Sequence, residues 1–141
     1  MIVVDTSVIY ALLDRRDRRH AAALAWYERC DEELATTPLV LAESDHLAMT
    51  RAGLDAARAF RNDVRAGAYV VEWWAAAAER SAEVAGRYED LGLDLTDASL
   101  VVLADRLETT TIATFDNRHF RTVRPLRERA EAFTLVPADA G

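Results

Sequence analysis

Lysine is absent from this chain, and all 17 basic residues are arginine. That excludes Schiff-base chemistry, a phosphate-binding P-loop lysine and a lysine general base. It also weakens a phosphoacceptor signalling domain, which relies on such a lysine. Cysteine occurs once, at Cys30, so neither an internal disulfide nor a cysteine metal cage can form. Cys30 reads as a small core or surface residue of a cytoplasmic protein. No G-x-S-x-G elbow occurs, and His20, His46 and His119 fall in different segments. A Ser-His-Asp hydrolase is therefore disfavoured, and the histidines read as structural or surface groups. No apolar run approaches the ~20 residues of a membrane span. The segment MIVVDTSVIYALLDRR has no basic leader, and Asp5 interrupts its apolar stretch, so it reads as a strand and helix rather than a secretion signal. Repeats, low-complexity tracts and linkers are missing too. The 141 residues read as one domain, 1–141.

What is present is a 51% hydrophobic chain with a formal net charge of -7. The hydrophobic share suits a packed globule. The acidity argues against a protein that coats nucleic acid. It suits an enzyme that gathers carboxylates around divalent cations, which then restore attraction for phosphate. The one basic run is Arg15, Arg16, Arg18 and Arg19. It is either a solvated connection between helices or a contact for RNA phosphate.

Short apolar, β-branched runs predict strands at Met1 to Val4, Leu34 to Thr36, Tyr69 to Val71, Thr110 to Thr114 and, at an edge, Phe133 to Val136. Helices are expected between them. The first is capped by Thr6 or Ser7 and runs to about Leu13. The second covers about Asp17 to Cys30, with Ala21, Leu24, Ala25 and Tyr27 or Glu28 on one face. Thr37-Pro38 opens a third that carries Leu39 through Thr50 and ends at Arg51-Ala52-Gly53. Others cover about Asp55 to Ala66, Ala75 to Asp90 and, capped by Thr96, a span to about Glu108. The alternation predicts an α/β fold: three layers, α/β/α, around a central, mostly parallel sheet of four to five strands. Ligands of such sheets gather beyond the carboxyl ends of the strands.

Four carboxylates draw attention there. Asp5 follows Ile2-Val3-Val4, and Asp116 follows Ile112-Ala113-Thr114-Phe115 in the same manner. A lone Asp after a strand is an ordinary cap or turn residue, but two at one edge weaken that explanation. Glu43 shares a helical stripe with Leu39, Val40 and Leu47. A carboxylate there is costly unless paired or metal-bound, or unless its head reaches water from the rim. Asp97 lies in the first turn of its helix, where the dipole favours acids, with Leu100, Val101 and Ala104 below it. Asp94 competes for the same place, and Asp97 is preferred for the face it shares with those apolar residues. Four clustered acids repel one another, and hard cations such as Mg²⁺ or Mn²⁺ relieve the repulsion. Two such ions could activate water and stabilise the leaving oxygen in phosphodiester hydrolysis. Thr6, Ser7 and Thr114 could bond ligands or substrate, or serve only as caps and strand formers. His119, Arg118 and Arg121 lie near Asp116 and could meet RNA. Trp73 and Trp74 read as core or dimer-contact residues, although aromatics also stack bases.

The blocks VVDTSVIYALLD, TTPLVLAESDHL, LDLTDASLVVLADR and IATFDNRHF occur in this order over almost the whole chain. In them the chain resembles a PIN-domain ribonuclease, most closely the VapC-type toxins of bacterial toxin–antitoxin pairs. The resemblance implies a metal-dependent endoribonuclease acting on structured RNA, a homodimer and a small antitoxin partner. It carries the acidic site onto Asp5, Glu43, Asp97 and Asp116. An aspartyl phosphatase fits less well, since Ser7 stands where a second acid belongs. The rival from another class is a non-catalytic RNA- or protein-binding module whose acids hold a structural metal or a partner's arginine.

Overall fold

The computed structural model describes residues 1–140. Five strands, β1 (Ile2–Val4), β2 (Leu34–Thr36), β3 (Val70–Val71), β4 (Thr111–Ala113) and β5 (Thr134–Val136), form one sheet in the order β3-β2-β1-β4-β5. Every neighbouring pair is parallel. Around it lie α1 (Thr6–Leu13), α2 (His20–Arg29), α3 (Pro38–Leu47), α4 (Leu54–Arg65), α5 (Ala77–Arg87), α6 (Leu95–Arg106) and α7 (Asn117–Thr122). From β1 to β3 the chain steps one way across the sheet; it then returns past β1 to add β4 and β5. With right-handed crossovers, that reversal puts the intervening helices on opposite faces and yields three layers. The direction changes between β1 and β4, so a crevice opens where their carboxyl ends diverge.

The inner strands β1 and β2, and β4 from Ile112, are buried on both faces, which is why they read as apolar runs rather than alternating ones. Val3, Val4, Ile112 and Leu135 are fully enclosed, together with Val8, Ile9, Leu100, Leu103 and Phe120. Helix α6 is buried continuously from Ala98 to Ala104. It is therefore the central helix of its layer rather than an amphipathic cover.

Several sequence expectations need correction. The cap of α1 is Asp5 itself, whose side chain accepts from the Thr6 N–H, and neither Thr6 nor Ser7 has that place. The cap of α6 is Asp94, which accepts from the Asp97 N–H, so Thr96 lies inside the helix. Carboxylates win at both ends because they accept the orphan N–H groups and favour the positive end of the helix dipole. Helix α2 starts at His20, and its buried residues are Ala23 and Trp26. Ala21, Leu24, Ala25, Tyr27 and Glu28 face solvent instead. An alanine-rich helix carries little pattern, and the bulk of Trp26 decides which side turns inward. Helix α3 ends at Leu47 and continues as a π-helical turn, Ala48–Ala52, closed by Gly53 at φ 108°. Thr37 caps α3 as expected, and its hydroxyl also meets Ser99 Oγ on α6 at 2.9 Å. Helix α7 was not anticipated. Trp73 is 40% exposed, and Trp74 packs beneath the guanidinium of Arg106.

Phe120 anchors α7 to the core and has no solvent exposure. Phe120→Ala is expected to lower unfolding free energy by about 3–5 kcal/mol, as read from urea denaturation. A change below about 1 kcal/mol would show that α7 is not held by this side chain.

Candidate active site

Asp5 lies at the bottom of the β1/β4 crevice and is 5% exposed. Its backbone N–H donates to the Ala113 carbonyl at 2.9 Å, tying the end of β1 to β4. Its carboxylate accepts from the Thr6 N–H at 2.8 Å, Ser7 Oγ at 2.9 Å and Thr114 Oγ1 at 2.7 Å. Thr114 Oγ1 also accepts from the Asp116 N–H at 2.9 Å, and Ser7 Oγ from the Phe115 N–H at 2.9 Å. The two hydroxyls thus connect Asp5 to the segment that carries Asp116. Burial pushes the Asp5 carboxyl above its usual range, and these donors partly offset it. Thr6 is buried, with no hydrogen-bond partner for its own hydroxyl among the described residues.

Asp116 caps α7 by accepting from the His119 N–H at 3.1 Å. The His119 Nδ1 stands 2.9 Å from the other Asp116 oxygen and 3.2 Å from an Asp97 oxygen. One imidazole nitrogen therefore bridges two carboxylates from different elements. Asp97 is held on α6 by its N–H donation to Asp94 at 2.8 Å. Burial, followed by the charges of Asp5, Asp94 and Asp116, raises its pKa to about 7, against a smaller opposing effect of His119. Such a shift marks a group whose charge the site strains to hold.

These residues line a cleft of about 700 Å³, whose walls also include Thr6, Ser7, Glu43, Asp94 and Arg118. Asp5, Glu43, Asp97 and Asp116 thus meet around one cavity. Among the described residues the tightest grouping of metal-capable atoms is Asp97, Asp116 and His119, all within 4.8 Å of one another. Asp5 sits deeper, and Glu43 occupies the α3 wall, half-buried and without a hydrogen-bond partner among the described residues. Clustered hard oxygen donors with one imidazole, and one acid already pushed toward neutrality, fit a divalent cation.

Sequence reasoning did not find the bridging place of His119, although its three-residue spacing from Asp116, at a helix start, was a usable signal. It also missed Tyr10, Asp17, Leu47, Arg51, Phe115 and Asn117 on the walls, while Arg19, from the basic run offered as an RNA-phosphate contact, does line the cleft. Arg121 turns away from the cleft and pairs with Asp139 at 2.9 and 2.5 Å. His46 is exposed, and His20 Nδ1 meets the Ala11 carbonyl at 2.7 Å as a structural contact.

A five-stranded parallel sheet with acids from the ends of β1 and β4 and from α3 and α6 defines a class. The family model of the PIN domain matches residues 2–125, and the chain belongs to that family. Among its relatives, Ribonuclease VapC26 of Mycobacterium tuberculosis is 36% identical over 137 residues, covering 96% of this chain and 100% of the relative. The crystal structure of VapC20, a Sarcin-Ricin loop cleaving toxin of the same organism, superposes with a TM-score of 0.77 at 26% identity, over 83% of this chain and 91% of that one. FitAcB from Neisseria gonorrhoeae shares the fold at a TM-score of 0.62 and 18% identity, over 85% of this chain and 91% of that one.

The raised Asp97 pKa has a consequence for stability. Between its ordinary 3.8 and about 7 the folded chain holds a proton on Asp97 that the unfolded chain has released. Raising the pH through this window therefore weakens the metal-free fold. Asp97→Asn removes that dependence. In EDTA, the wild type is expected to lose more stability than the variant between about pH 5 and pH 8. Equal losses in urea titrations would show that Asp97 titrates normally.

Proposed function

We propose that this chain is an endoribonuclease of the VapC toxin class, hydrolysing RNA phosphodiester bonds with Mg²⁺ or Mn²⁺ held by Asp5, Asp97, Asp116 and Glu43. The observation that carries this reading is the convergence of the four carboxylates on one cleft. The ribonuclease and toxin names of the relatives support it. When bound, the cation supplies a Lewis acid that lowers the pKa of attacking water and stabilises charge on the phosphate.

The chain's own groups prepare that site. Thr114 and Ser7 hold one Asp5 oxygen and the Thr6 N–H the other, fixing the deepest carboxylate. His119 bridges one oxygen of Asp97 and one of Asp116 through Nδ1 and so ties the two acids together. Glu43 has no hydrogen-bond or ion-pair partner among the described residues and closes the set from α3. Asp97 sheds its proton near pH 7, so metal affinity and cleavage fall as the pH drops below that value. RNA enters past the guanidiniums lining the cleft, which offset the acidity of its floor.

The same reading assigns a cytoplasmic site of action, a homodimer and a small antitoxin that places an arginine among the carboxylates. No described helix is long and apolar enough to cross a membrane. A non-catalytic module would leave RNA intact under every metal condition.

The test is Glu43→Gln, followed by RNA cleavage and thermal melting with and without Mn²⁺. The variant should lose cleavage, and its metal-free form should melt at or above the wild-type temperature, since an unpartnered charge is gone. Metal at a hundredfold excess over its dissociation constant should stabilise the wild type by ~2.7 kcal/mol, and the variant by much less. Normal cleavage by Glu43→Gln, or undiminished wild-type cleavage in EDTA, would overturn the metal mechanism.

A further inference from the structure

Three arginines, Arg19, Arg51 and Arg118, line the acidic cleft. Among the described residues none of them forms an ion pair, although Asp5, Asp17, Glu43, Asp94, Asp97 and Asp116 share the same walls. Elsewhere on the surface, arginines do take carboxylate partners, as Arg61 does with Asp45, Arg80 with Asp105, Arg106 with Glu72 and Arg121 with Asp139. Arg19 has the most determined place of the three. Its guanidinium lies over the Phe115 ring, 5.2 Å from the centroid. Its nearest acid in sequence, Asp17, is turned to the Arg19 backbone N–H at 2.8 Å.

Phe115 in turn is fixed by the site. It stands between Thr114 and Asp116, and its N–H donates to Ser7 Oγ, which itself donates to Asp5. The backbone that carries the ring is thus set by the hydrogen bonds that place the deepest carboxylate. A guanidinium resting on that ring inherits the register. Stacking on an aromatic face spends none of its N–H donors, so its planar fork stays available for a phosphate. The other members of the basic run lack this placement. Arg16 is engaged with Asp14 and the Arg51 carbonyl. Arg15 and Arg18 are exposed and do not line the cleft.

We infer that Arg19, held in place by Phe115, is the phosphate-contacting residue that sets the register of the RNA strand in the cleft. Phe115 acts as a positioning residue through Arg19. This rests on the ribonuclease reading above and adds to it which residue of the basic run meets substrate.

The experiment measures affinity for a fluorescein-labelled, single-stranded RNA of mixed sequence by anisotropy. Ca²⁺ replaces Mg²⁺, a gel monitors RNA integrity, and salt is varied. Arg19→Ala should weaken binding roughly tenfold. It should also lower the slope of log Kd against log salt by about 0.7, the loss of one single-strand phosphate contact. Arg19→Lys should keep the slope, and Arg18→Ala should keep both slope and affinity. Phe115→Leu should weaken binding in the wild type but add nothing in the Arg19→Ala background. Melting temperatures of all variants separate folding defects from binding defects, because a merely structural Arg19–Phe115 contact would shift melting without changing the salt slope. An unchanged slope in Arg19→Ala, or an equal loss from Phe115→Leu in both backgrounds, overturns the inference while wild-type cleavage leaves the ribonuclease reading standing. A wild type that neither binds nor cleaves RNA overturns both.

Discussion

The structure turns on a carboxylate buried where the first strand ends. Burial pushes the Asp5 carboxyl above its usual range, and the Thr6 N–H, Ser7 Oγ and Thr114 Oγ1 that converge on it offset part of that cost. Those donors come from α1 and from the residue after β4, so the bonds that solvate Asp5 also join two strands distant in sequence. The same hydroxyls accept from the backbone of Phe115 and Asp116. The second acid of the site is therefore set by the first. Hydrogen-bond satisfaction of one buried carboxyl is a folding constraint and a functional one together.

Helix ends explain why acids can assemble here at all. Asp5, Asp94 and Asp116 each cap a helix, at the starts of α1, α6 and α7. The positive ends of three dipoles thus meet the cleft and lessen, without cancelling, the repulsion among carboxylates. At Asp97, burial first and then the repulsion that remains raise the pKa to about 7. A site that resists its own charge favours a cation that neutralises it, and ion binding then stabilises the fold. The acids of the cleft and its guanidiniums, which form no ion pairs among the described residues, oppose each other in charge within the same walls.

Much of this was legible in the residues, for identifiable reasons. Ile2-Val3-Val4 and Ile112-Ala113 are buried on both faces, so they read as apolar runs with an aspartate at or just after their ends. Glu43 stood out as an acid among Leu39, Val40 and Leu47. Helix α7 was not legible, because NRHFRT carries a single core residue, Phe120. The inward face of α2 was misjudged, because alanines at many positions give no contrast until Trp26 is packed. Asp97 was preferred to Asp94 for the face it shares with Leu100, Val101 and Ala104, but Asp94's place as the cap of α6 was not legible, since capping depends on φ, ψ and three-dimensional neighbours. The Arg19–Phe115 contact joins residues far apart in the chain and has no sequence periodicity at all.

The central claim is that these carboxylates form one cation site, organised around Asp5. Anomalous diffraction from crystals of the protein grown with Mn²⁺ tests it most directly. Manganese is expected between the carboxylates of Asp5, Asp97 and Asp116, and is expected to be lost in Asp116→Asn crystals. Manganese bound only elsewhere, in a protein that still cleaves RNA, would contradict it.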